Sequence, residues 1–101
     1  MFADFHYALR SKLDGQYLVA RLQRSEDLPP AQFLLLFKED YSALSYVNQH
    51  APELGDRFGI ESLSSGQLKG LIQRWGFQGV GLVQDPLEPR IEFMTTSSGP
   101  L

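Results

Sequence analysis

The chain has 101 residues, 43% apolar and 12% aromatic, with 21% charged residues, a formal net charge of −3 and no cysteine. Such a length fits one globular domain of roughly 13 Å radius of gyration, and the lack of cysteine excludes disulfide staples, thiolate metal sites and cysteine nucleophiles. An acidic balance argues against nucleic acid, which needs clustered cations, and the longest apolar run, Phe33–Phe37, is far too short for a bilayer span.

In chain order, Phe2, Phe5, Leu9 and Leu13 share one face at helical spacing, with Arg10 and Lys12 away from it, and predict a helix over 2–13 stopped by Gly15. Gln16–Gln23 alternates, with Tyr17, Val19 and Arg21 on one side and Leu18, Ala20 and Leu22 on the other, as in a strand. Arg24–Ala31, with two prolines, is a loop, and Gln32–Lys38 is a buried central strand. Asp40 is placed to cap a helix whose buried stripe is Ala43, Leu44, Val47 and Ala51, and Pro52 ends it.

Phe58–Leu63 reads as a short strand. Ser64 and Gln67 have the Ser-x-x-Gln spacing of a capping box, Leu68, Leu71, Ile72 and Trp75 follow at i, i+3, i+4, i+7, and Gly76 closes the helix. Val80–Gln84 and Ile91–Met94 form a terminal hairpin around residues 85–90. The order is therefore α-β-β-α-β-α-β-β. It describes an α+β domain over residues 1–94, with about five strands in a mixed or mainly antiparallel sheet and the helices on one face. The step from Phe33–Lys38 to Phe58–Leu63 suits a parallel crossover, and 95–101 read as a flexible tail.

The groups that carry chemistry are sparse. His6 borders an apolar face and His50 sits at a helix end, both positions that structure explains. Glu39, Asp40, Glu53 and Asp56 do not have metal-ligand spacing, so no metal or cofactor is expected. Ser64-Ser65-Gly66 is better explained by capping than by a nucleophile turn, since Gln67 completes the box. The glycines of Gly76–Gly81 follow a helix and enter a strand, the reverse of a phosphate loop. Gly79 and Gly81 leave one strand face bare, which either lets Trp75 pack closely or opens a shallow groove for a small ligand. Tyr41 and Tyr46 lie away from the Leu44–Val47 stripe, and with His50 they form a candidate partner contact.

Three stretches carry a resemblance to a known family. FHYALRSKLDGQYLVAR (5–21), FLLLFKED (33–40) and the strand–helix–hairpin from Gly59 to GVGLVQDPLEPRIEFM resemble the amino-terminal domain of SseB-like proteins. The pattern departs at Lys38-Glu39, where Thr-Ser is usual, and at Gln84-Asp85, where Asn is usual. The carboxy-terminal domain of full-length family members has no counterpart here. The resemblance implies a bacterial, non-catalytic α+β module, and the family has no established catalytic residues to carry over; the cytoplasm is expected on a separate ground, since Asp4, His6 and Arg10 interrupt any signal-like apolar run at the start. The expected function is protein interaction, with a protein partner or a homodimer, through the sheet edge and the helix bearing Tyr41 and Tyr46. The alternative is a small-ligand sensor at Gly79, Gly81 and Trp75.

Overall fold

The computed structural model describes residues 5–85, 87, 88 and 90–95, leaving aside the side chain of Leu54. The strands are β1 (Phe5–Ser11), β2 (Val19–Leu22), β3 (Ala31–Phe37), β4 (Phe58–Ser64), β5 (Gly79–Asp85) and β6 (Arg90–Thr95). The helices are α1 (Asp40–His50) and α2 (Ser65–Trp75), and a 3-10 helix spans Pro52–Arg57. The strands make one mixed sheet in the order β4-β1-β3-β5-β6, with β2 also paired to β3.

β3 organises the molecule. Every residue from Phe33 to Phe37 is buried, because the sheet is covered on both faces. Leu34 and Leu36 join Ala8, Tyr17, Leu63 and Val80 under Leu68, Leu71 and Ile72 of α2. Leu35 and Phe37 join Leu9 and Val83 under Ala43 and Val47 of α1. The helices thus lie on opposite faces, not on one. Alternation along β3 sends large apolar side chains both ways, so each face needs its own cover.

The first predicted element is corrected. Of the described part of 2–13, residues 5–11 are strand β1, paired antiparallel with β4 from Phe5↔Ser64 to Ser11↔Phe58, and Lys12 and Leu13 lie in the turn that follows. Ala8 and Leu9 are adjacent and both buried, one in each core. A strand covered on both faces loses its two-residue period, and Phe5, Leu9 and Leu13 then match a helix by coincidence. Leu13, 77% exposed, stands outside the core that a helix would have given it. Gly15 keeps a turning role at φ 72°, in the loop that returns the chain to β1. There the Leu18 amide donates to the Leu9 carbonyl and the Leu35 amide to the Leu18 carbonyl. Leu18 is wedged between β1 and β3, and β2 continues along β3 from that point.

The crossover is also corrected. β3 runs parallel to β5, from Phe33↔Gly79 to Phe37↔Val83, and β4 pairs with β1 instead. The segment between β3 and β5 contains both helices and sends β4 to the far edge. α2 is bounded as its sequence predicts: Ser64 Oγ accepts from the Gln67 amide at 3.3 Å, and Gln67 Oε1 accepts from the Ser64 amide at 2.9 Å. Gly76 ends it at φ 72°, a left-handed conformation that costs a side chain. The loop after β2 closes through Arg24, whose Nη2 donates to the Pro29 carbonyl at 2.9 Å. Thr95 belongs to β6, and the tail expected from 95 onward otherwise lies outside the described residues.

Candidate functional site

Among the described residues no polar or charged side chain is buried, so any site lies at the surface. The outer face of α1 stands out. Glu39 is its N-cap, in extended geometry and without a side-chain cap bond, where the sequence predicts Asp40. Asp40 has already entered the first turn, and its Oδ1 accepts from the Tyr41 amide at 2.7 Å. That one-residue shift leaves α1 anchored by packing, through Ala43 and Val47.

The same packing decides what faces out. Leu44, expected in the buried stripe, is 50% exposed, and Tyr41, one turn earlier on the same side, is 64% exposed. Tyr46 turns inward instead, its ring 5.4 Å from Phe37 and 4.7 Å from His50. Burial raises its phenol above the usual tyrosine range. Tyr41, Tyr46 and His50 therefore do not form one contact face: half-buried Tyr46 meets exposed His50 with their rings tilted at 54°, and Tyr41 stands apart with Leu44.

At Ala51 the backbone leaves helical geometry (φ −152°), as the residue before a proline tends to. The 3-10 helix then folds back along α1. A side chain at Gly55 would come within 3.4 Å of Asn48 Oδ1, so the two segments touch there. Between them and the sheet lies a cleft of about 200 Å³. Leu9, Leu44, Val47, Pro52 and Phe58 give it apolar walls, and Asn48 and Asp56 supply its polar groups.

The groove expected at Gly79, Gly81 and Trp75 does not form. Gly81 faces Leu35, Ile91 and Phe93, whose side chains would lie 3.1–3.2 Å from an added Cβ. Gly79 is closer still: its Cβ would fall 1.9 Å from the Met94 carbonyl oxygen. Both glycines serve close packing, with Phe93 laid across Gly81 and edge-on to Phe33 at 5.2 Å. Trp75 packs with the other core.

There Trp75 joins a cluster that the sequence does not announce. The Tyr17 hydroxyl donates to Glu61 Oε2, and Arg10 Nη1 lies 3.5 Å from Glu61 Oε1. Arg10 Nε donates to the Gly15 carbonyl at 2.8 Å, and its guanidinium sits 4.9 Å from the Tyr17 ring and 6.0 Å from that of Trp75. Tyr17 and Trp75 meet edge-on at 5.1 Å. Burial, then the Glu61 bond, pushes the Tyr17 phenol up to about 12. Arg10 lies within cation–π reach of both rings, so the cluster ties β1, the Tyr17 segment, β4 and the end of α2 together.

The histidines stay apart. His6 lies half-buried on β1, its pKa lowered by burial and then by the Lys38 charge. Among the described residues no three His, Asp or Glu side chains gather as a metal site, and no helix is long and apolar enough to cross a membrane. Glu39, Asp40, Glu53 and Asp56 are all exposed. The outer strands of the sheet path differ: β4 is largely half-buried, whereas β6 exposes Phe93 and Met94. Comparison with protein-family models, curated proteins and solved structures finds no match.

Proposed function

We propose that this chain is a bacterial, non-catalytic protein-interaction module of the cytoplasm, the bacterial and non-catalytic parts of that reading resting on its likeness to the SseB amino-terminal domain. Its contact surface is the outer face of α1. One observation carries the reading: Leu44 and Tyr41 are exposed side by side on a helix whose inward stripe is already filled, and Leu44 borders an apolar cleft. Apolar surface removed from water returns about 25 cal/mol per Å², so a partner seated on this face gains what folding leaves unused.

The packing at the two glycines speaks against the small-ligand reading: Gly81 lies against Leu35, Ile91 and Phe93, and Gly79 against the Met94–Thr95 backbone. Purification of the tagged full chain from its native host, as wild type and as Leu44→Glu, tests the proposal. The expected result is a stoichiometric protein partner with the wild type that is lost in an equally stable variant. A wild-type chain that returns no stoichiometric partner and is monomeric by light scattering contradicts it.

A further inference from the structure

The partner's chemistry can be narrowed, and this step rests on the reading of α1 as the contact helix. We infer that the cleft beside Leu44 receives one large apolar side chain from a partner segment whose neighbouring residues are basic. The cleft holds about 200 Å³, below the ~300–1,000 Å³ of small-molecule sites, and so suits a single anchoring side chain. Leu9 and Val47 are buried at its inner side, and half-exposed Leu44 stands at its rim.

Charge decides what flanks the anchor. Asp56 is the one carboxylate among the described lining residues. The segment 38–57, which forms α1 and the 3-10 helix, exposes Glu39, Asp40, Glu53 and Asp56 against Lys38 and Arg57. Four carboxylates against two cations give −2 of the chain's net −3. α2 has the opposite sign, with Lys69 and Arg74 and no acid from Ser65 to Trp75. A basic segment is therefore favoured along 38–57 and disfavoured along α2 itself, which sets orientation as well as encounter rate.

The test uses the isotope-labelled full chain and an acetylated, amidated Lys-Lys-Leu-Lys-Lys peptide, followed by amide chemical shifts. Lys-Lys-Ala-Lys-Lys and Glu-Glu-Leu-Glu-Glu serve as the comparison peptides. The expected result is saturable shifts at Leu44, Asn48, Gly55 and Asp56 with the first peptide. Binding of the alanine peptide should be weaker by roughly ten-fold or more, since a buried leucine side chain contributes about 1.5–3 kcal/mol. The acidic peptide should not bind, and Asp56→Asn should weaken binding and flatten its salt dependence. No saturable shift at millimolar peptide overturns the inference. So does equal binding of either comparison peptide, or self-association through the same amides. If the peptides fail while Leu44→Glu still loses the native partner, the partner chemistry is wrong; if Leu44→Glu also keeps the partner, the contact helix is wrong.

Discussion

α1 and α2 are both eleven residues long, and they are held in place by different means. α2 carries its own boundaries, with a capping box at Ser64 and Gln67 and a left-handed glycine at Gly76, and it buries Leu68, Leu71 and Ile72. α1 has no side-chain cap at its start, ends at a non-helical Ala51, and buries Ala43 and Val47. The difference lies in what each helix leaves exposed as well as in how it is held. A helix that spends its large apolar residues inward is architecture. One that turns Ala43, Val47 and Tyr46 inward and leaves Leu44 and Tyr41 outside has apolar surface exposed.

The sharpest way to break this comparison is a pair of truncations. Ile72→Ala should cost about 2–5 kcal/mol in urea melts, as loss of buried methylenes does. Leu44→Ala should cost about 1 kcal/mol or less, since that side chain is already half in water. A Leu44 effect as large as that of Ile72 would mean α1 buries the side chain and has no apolar outer face.

The caps give a second, smaller contrast. Ser64→Ala should cost roughly 0.5–2 kcal/mol, because it removes a bonded cap. Glu39→Ala should stay within about 0.5 kcal/mol, because the Glu39 side chain makes no cap bond. Equal losses would show that α1 is capped in solution after all.

Two titrations on the α2 side of the sheet sharpen the contrast further. Tyr17 has its pKa raised from 10 to about 12, so the stability it contributes is complete below pH 10 and is lost as pH rises through about 12. Tyr17→Phe should remove that alkaline loss, and absorbance should show Tyr17 among the last tyrosines to ionise. His6 shifts the other way: its pKa lies below 6.5, so its contribution is complete above 6.5 and falls as pH drops below it. Urea midpoints of His6→Gln between pH 7 and 5 should lack this part of the decline.

What the sequence discloses follows the same division. α2, β3 and the terminal hairpin are readable because their signals are local: a cap spacing, a closing glycine, an apolar run between polar ends. β1 is misread as a helix because Ala8 and Leu9 serve different cores, which erases the strand period. Asp40 reads as the cap because aspartate is a good cap, yet the helix starts one residue earlier; Leu44 faces outward because Ala43 and Val47 take the inward side. The Arg10–Tyr17–Glu61–Trp75 cluster is invisible in sequence, since its members meet only when β1 pairs with β4 and α2 folds over them. The cleft is no more legible: it depends on the 3-10 helix returning to Asn48, and nothing but Pro52 hints at the turn.

Amide hydrogen exchange of the full chain, alone and saturated with the partner recovered from its host, tests the contact helix most directly. The expected result is slowed exchange over residues 40–57, with α2 unchanged from 65 to 75. Protection confined to α2 or to the β6 edge, with α1 exchanging as in the free chain, would contradict it.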